Sequence, residues 1–156
     1  LTINLAWLAA SLVVIAFAAW LIKRLCEEHL LVDAQLVTAL TLLLISPVSW
    51  SHHWVWLTLI IPVFIYRAWT WLPSGWAAGS LLTVLIAWAA MLLTVPPKWW
   101  WGDQVDVHAM ERYQKFWVDD FVWLTILAVA LYAAAFYTSQ RNIRNTSIAT
   151  PAPLVS

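Results

Sequence analysis

The sequence predicts an all-α protein, a polytopic bundle of about five membrane-spanning helices. Of its 156 residues, 63% are hydrophobic and 10% are charged, against ~45–50% and ~25% in average soluble proteins. A soluble domain of this size could not bury so much apolar surface. The net charge of zero favours no nucleic-acid partner, and the single cysteine, Cys26, excludes an internal disulfide.

Five apolar runs approach the ~20 residues that a spanning helix needs. They cover residues 5–22, 30–45, 50–66, 76–95 and 117–137. The second and third are short, and they span only if the connection 46–54 lies inside the bilayer boundary. Pro62 predicts a kink in the third. Residues 1–137 thus form the membrane region, and the polar stretch 138–156 is expected to be a disordered cytoplasmic tail.

Lysine and arginine are distributed unevenly between the predicted helix ends. One side carries Lys23, Arg24, Arg67, Arg141 and Arg144, and the other carries fewer basic residues, mixed with acidic ones. The positive-inside rule makes the first side cytoplasmic. We therefore expect a multi-pass plasma-membrane protein with its N-terminus outside, its C-terminus inside and outer loops at 46–54 and 96–120. Because the chain starts with leucine rather than methionine, we expect it to lack an N-terminal part.

Most of the 14 tryptophans lie near predicted helix ends. Tryptophan favours the membrane–water interface, so an aromatic belt is the simplest interpretation. Stacking of some outer tryptophans on a sugar or a polyprenyl chain is the alternative.

Adjacent histidines, His52 and His53, lie in the predicted outer hairpin. Ionisable groups at this depth are expensive and often functional, and histidine can donate to phosphate oxygens, relay a proton or bind a metal. The alternative is a pair of interfacial histidines that water and lipid head groups satisfy. We predict no metal, because neighbouring histidines point in different directions and no acidic or cysteine partner follows at a regular ligand spacing.

The outer loop 96–120 is too polar to span and too aromatic for a plain solvated loop. Its charged middle, with Asp103 and Arg112, is a candidate site for a polar acceptor, although incidental surface charges are the alternative. Asp33, near the inner end of the second run, is expected to reach the interface or to be hydrogen-bonded there.

The segment Ser46-Pro47-Val48-Ser49-Trp50-Ser51-His52-His53-Trp54 resembles a motif of the actinobacterial glycosyltransferase family 87. These are polyprenol-phosphate-mannose-dependent α-mannosyltransferases of the GT-C class. The family often has an acidic residue where this chain has Ser51.

The resemblance implies that the chain is the C-terminal part of a GT-C-like fold with an outward-facing cavity. It also implies a polyprenyl-phosphate sugar donor, a lipid-linked glycan acceptor and no cofactor. The family's general base, an aspartate in the first outer loop, is expected in the missing N-terminal part.

The leading hypothesis is therefore a mannosyltransferase that works on the outer face of the membrane. His52 and His53 would stabilise the phosphate leaving group, and substrate would contact Ser49, Trp50, Trp54, Asp103 and Arg112. A membrane transporter or flippase, in which the histidines relay protons, is one alternative. A non-catalytic scaffold subunit is another.

Overall fold

The computed structural model describes residues 2–45, 55–94 and 120–149, and within these ranges all regular structure is helical. Five α-helices are described, and the all-α fold class is confirmed. They are α1 (Thr2–Glu27), α2 (Leu31–Ile45), α3 (Leu57–Trp71), α4 (Trp76–Thr94) and α5 (Asp120–Ala149).

A tight turn joins α1 and α2 into an antiparallel hairpin. The amide of Leu30 donates to the carbonyl of Leu25 at 2.8 Å, and the amide of His29 donates to Cys26 at 3.1 Å. This is the Schellman pattern that closes many helix C-termini. His29 occupies its left-handed position, with φ of 58°, where glycine is the usual residue. Leu25 is fully buried, so the apolar contact of the motif anchors the turn to the core.

A second short connection turns α3 back into α4. It is a single 3₁₀ turn, Leu72–Ser74, with Pro73 inside it and Gly75 after it at φ of 132°. Helix α5 packs mainly against α4 and also contacts α2 and α3. The side-chain amide of Asn142 on α5 donates to the carbonyl of Ser74 at 3.4 Å, which places this part of α5 beside the α3–α4 turn.

All the lysines and arginines in the described ranges lie toward one end of the bundle. Lys23 and Arg24 precede the α1–α2 turn, Arg67 is near the C-terminal end of α3, and Arg141 and Arg144 flank Asn142 on α5. The predicted basic set therefore shares one end of the structure. That this end faces the cytoplasm remains a prediction.

Much of the outer surface of the bundle is apolar, as expected for helices that contact lipid. Among the described helices, three segments are long and apolar enough to cross a membrane, namely Leu8–Glu27, Trp76–Leu93 and Val122–Thr146. Side chains such as Val13 and Leu93 are 69% and 85% exposed, which lipid tails can cover at little cost. Helices α2 and α3 have 15 residues each, about 22 Å of rise, less than the ~30 Å hydrocarbon core.

Two tryptophans beside the α3–α4 turn fit the expected aromatic belt. Trp69 and Trp76 are exposed, as rings that contact lipid head groups should be. Trp71, from the same predicted set, instead packs inward against Tyr132 and Phe136. Its role is therefore in the core.

Helices α1 and α3 continue beyond the basic residues that follow the first and third apolar runs. In α1 the guanidinium of Arg24 lies 3.1 Å from Glu27, three residues later, a spacing that helices support. In α3 the expected end at residue 66 is wrong, because the helix runs through Arg67 to Trp71. An aspartate on α2 neutralises Arg67, and the helix ends at the Pro73 turn.

The expected start of the disordered tail at residue 138 is also at variance with the structure. Helix α5 continues to Ala149. The hydroxyls of Thr138 and Thr146 donate to the carbonyls four residues earlier, so these side chains need no partner outside the helix. No proline interrupts the stretch before Pro151. The polar residues after Tyr137 therefore do not end the helix.

Candidate functional site

The predicted transfer site lies outside the described residues. This holds for the histidine pair and for every predicted substrate contact: Ser49, Trp50, His52, His53, Trp54, Asp103 and Arg112. These assignments stay predictions. The helices on either side of the histidine segment are described, since α2 ends at Ile45 and α3 begins at Leu57.

The polar cluster that the structure does show is built on Asp33, in the first turn of α2. Asp33 is completely buried. Arg67 of α3 binds it side-on: Nε donates to Oδ1 at 2.9 Å and Nη2 donates to Oδ2 at 2.7 Å. Paired, charge-assisted bonds of this kind are among the strongest side-chain hydrogen bonds. Of the two expectations for Asp33, the structure shows the hydrogen-bonded one.

Tyr132 of α5 brings a third helix to the cluster. Its hydroxyl donates to Oδ1 of Asp33 at 2.6 Å. Its ring stacks on Phe64, with centroids 4.3 Å apart, and meets Trp71 edge-on at 5.2 Å. Such ring pairs add to the energy of apolar burial. The hydroxyl therefore reaches the carboxylate from a ring that packing on α3 holds in place.

The three-helix cluster of Asp33, Arg67 and Tyr132 is suited to fixing geometry rather than to proton transfer. Both carboxylate oxygens accept hydrogen bonds, and the charge of Asp33 is opposed by that of Arg67. Removing Arg67 would leave the charge of Asp33 buried and uncompensated. Across the described ranges, no group of three or more His, Cys, Asp or Glu residues could hold a metal ion.

Sequence reasoning missed this cluster because it treated Asp33 and Arg67 separately. A signal was available: each is an isolated charge near the same end of adjacent, antiparallel apolar helices. Charged residues in membrane helices usually pair with one another. Tyr132 gave no such signal, because nothing in an apolar run shows which tyrosine faces a carboxylate.

Comparison with known proteins identifies the relatives of this bundle. A curated protein of Mycobacterium tuberculosis is 31% identical over 157 residues, which cover 96% of this chain. It is named polyprenol-phosphate-mannose-dependent alpha-(1-2)-phosphatidylinositol mannoside mannosyltransferase. This chain is a homologue of the mycobacterial polyprenol-phosphate-mannose-dependent mannosyltransferases. The family resemblance drawn from the Ser46–Trp54 segment is thereby confirmed.

Two further mannosyltransferases with related names match about half of the chain. One, from Mycolicibacterium smegmatis, is 35% identical over 89 residues. The other, from a second strain of Mycobacterium tuberculosis, is named for a phosphatidylinositol pentamannoside and is 36% identical over 86 residues. The chain spans 34% of the length of the first relative. No protein-family model and no solved structure matches the chain.

Proposed function

We propose that this chain is the C-terminal part of a membrane mannosyltransferase. The enzyme transfers mannose from a polyprenyl-phosphate donor to a phosphatidylinositol mannoside or a similar lipid-linked glycan on the outer face of the membrane. The observation that carries this proposal is the 31% identity to a mannosyltransferase of that donor class over 96% of the chain. A bundle with an apolar exterior suits substrates that are themselves anchored in lipid.

The chemistry is the displacement of a phosphate from the anomeric carbon of mannose. An acceptor hydroxyl oxygen forms a bond to that carbon while the bond to the phosphate oxygen breaks. The hydroxyl proton passes to a general base, an aspartate in a part of the enzyme that this chain does not include. The polyprenyl phosphate leaves with an added negative charge.

His52 and His53 stabilise this leaving group in the proposed mechanism. Hydrogen bonds to a developing phosphate charge strengthen in a water-poor site, and they lower the barrier because they are strongest in the transition state. Ser49, Trp50 and Trp54 share their segment and bind the donor head group and its mannose. The outer position of this segment rests on the same proposal.

The three-helix cluster acts as a positioning device for the histidine segment. Asp33 and Arg67 join α2 and α3 near the ends opposite the segment that links them. Their side-on pair limits sliding and rotation of α2 against α3. Because the two helices flank residues 46–54, fixing them restricts where the histidines can lie.

The loop 96–120 covers the acceptor side in this proposal. In sequence it follows α4 and precedes α5, just as residues 46–54 follow α2 and precede α3. The sugar hydroxyls of an acceptor can pair with Asp103 and Arg112, which need water or a polar partner. Replacing either residue should change acceptor choice or acceptor KM and leave donor binding intact.

The proposed function is tested by measuring mannosyl transfer with the full-length protein. Purified protein in lipid nanodiscs is given radiolabelled polyprenyl-phosphate mannose and a phosphatidylinositol mannoside. Wild-type protein should form the extended glycolipid, and His52→Ala or His53→Ala should lower kcat by about 10²–10³ with little effect on acceptor KM.

His29→Asn serves as the matched control. It replaces an exposed histidine at the opposite end of the bundle with a residue that tolerates the left-handed conformation, and transfer should stay normal. Wild-type protein that forms no product would refute the function. Near-normal turnover by both single histidine variants would refute their chemical role alone.

A further inference from the structure

A cavity of about 190 Å³ lies between α1 and α5 at the basic end of the bundle. The residues that line it include three arginines, Arg24, Arg141 and Arg144, and one acidic residue, Glu28. The volume exceeds the ~30 Å³ that one water occupies in the liquid. A group of several heavy atoms therefore fits beside the arginines.

Two helix faces build this cavity. The face on α1 and its turn carries Trp20, Arg24 and Glu28, which recur every four residues. The face on α5 carries Tyr137, Arg141 and Arg144, at spacings of four and three residues. Residues at these spacings share one face of a helix. The cavity therefore lies where these two faces meet. Each face carries an aromatic ring one turn before its first arginine.

The charges at the cavity favour an anion. Arg24 is partly engaged, since its Nη1 lies 3.1 Å from Oε2 of Glu27. Within the described ranges, Arg141 and Arg144 form no ion pair. Three cations face one lining carboxylate, so an excess of positive charge remains for a ligand. Arginine is the side chain best shaped to bind phosphate oxygens in pairs.

The surroundings favour a lipid as the source of that phosphate. Both helices reach the cavity from apolar segments long enough to span a membrane, Leu8–Glu27 and Val122–Thr146. Trp20 and Tyr137 are 43% and 62% exposed, and rings of this kind prefer the depth of the head groups. A phospholipid at this place would lay its acyl chains along the exposed apolar face of α1 and its phosphate among the arginines.

We propose that this cavity binds the phosphate of an anionic phospholipid head group. It is separate from the proposed transfer site, because it adjoins the α1–α2 turn whereas the histidine segment links the opposite ends of α2 and α3. The same phosphate chemistry would suit inorganic phosphate, so the experiment compares the two sources.

The test measures which lipid the full-length protein retains. The protein is reconstituted in nanodiscs of phosphatidylcholine with an equal share of phosphatidylglycerol, released into mild detergent and weighed by native mass spectrometry. Wild-type protein should retain phosphatidylglycerol in preference to phosphatidylcholine. Arg141→Gln and Arg144→Gln should each reduce that preference about fivefold, the effect of one interfacial cation, and Arg144→Lys should keep most of it.

Lys23→Gln is the matched control, because Lys23 is a 76% exposed cation at the same end that does not line the cavity. It should leave the lipid preference unchanged. An equal loss with Lys23→Gln, or no preference in the wild-type protein, would overturn the proposal. Calorimetric binding of inorganic phosphate in pure phosphatidylcholine nanodiscs, abolished by Arg144→Gln and without any lipid preference, would overturn the lipid assignment in favour of soluble phosphate.

Discussion

Arg67 on α3 holds the fully buried carboxylate of Asp33 on α2 by a side-on pair of hydrogen bonds, 2.9 Å from Nε to Oδ1 and 2.7 Å from Nη2 to Oδ2. The two residues are 34 positions apart in the sequence. The buried carboxylate of Asp33 needs a counter-charge, and Arg67, whose side chain is 25% exposed, supplies it. The pair therefore requires α2 and α3 to meet in one register, and the predicted histidine segment links these same two helices.

Removing one member of the pair should destabilise the bundle. Arg67→Ala leaves the Asp33 carboxylate buried without its counter-charge, and we expect a loss of about 3–5 kcal/mol in the free energy of unfolding. SDS-titrated unfolding of the purified protein in mixed micelles measures this. The double variant Asp33→Leu/Arg67→Leu should recover part of the loss, and Lys23→Ala, at an exposed cation, should change stability by less than about 0.5 kcal/mol. A double variant less stable than Arg67→Ala would contradict this account.

Tyr132 should contribute in two separable ways. Tyr132→Phe removes the donor to Asp33 and keeps the ring on Phe64, so a loss of about 1–2 kcal/mol is expected. Tyr132→Ala also removes the buried ring, and the loss should rise to about 3–5 kcal/mol. The same unfolding titration ranks the two variants, with the exposed Tyr137→Phe as the control. Equal losses of unfolding free energy for Tyr132→Phe and Tyr132→Ala would show that packing of the Tyr132 ring does not contribute to stability.

Chemical labelling of the native cysteine tests the predicted orientation of the chain in the membrane. Cys26 is exposed and adjoins the basic end of the bundle, which the positive-inside rule places in the cytoplasm. In intact cells a membrane-impermeant maleimide should leave Cys26 unlabelled and should label a cysteine introduced by Trp100→Cys in a Cys26→Ser background. Permeabilised cells should label both. Labelling of Cys26 from outside, with no labelling at position 100, would reverse the topology.

Mannosyl transfer should survive chelation. The histidine pair has no acidic or cysteine partner at ligand spacing, and the proposed leaving-group stabilisation uses hydrogen bonds rather than a metal. Activity in EDTA should equal activity in untreated nanodiscs. The prediction fails if EDTA abolishes transfer and a single divalent ion restores it.

The helices were largely predictable, and their ends were not. Hydropathy located each described helix, because the apolar runs have to face lipid whatever their neighbours are. It failed at polar residues. Arg67 lies inside α3, where Asp33 pairs with it. Helix α5 continues to Ala149, and the hydroxyls of Thr138 and Thr146 are satisfied by carbonyls of the same helix. The predicted transfer residues, which lie outside the described ranges, depend on a family motif and remain to be tested.

By itself the sequence predicted a bundle of apolar helices in which the larger set of basic residues gathers at one end, because polar groups are costly in hydrocarbon and basic residues favour one side of the membrane. It also indicated the relatives, through the motif residues of the Ser46–Trp54 segment. Only the tertiary structure decided that Asp33, Arg67 and Tyr132 meet, and that Arg24, Arg141 and Arg144 share a cavity. Those contacts join helices far apart in the chain, and they depend on the rotation and register of each helix, which hydropathy does not encode.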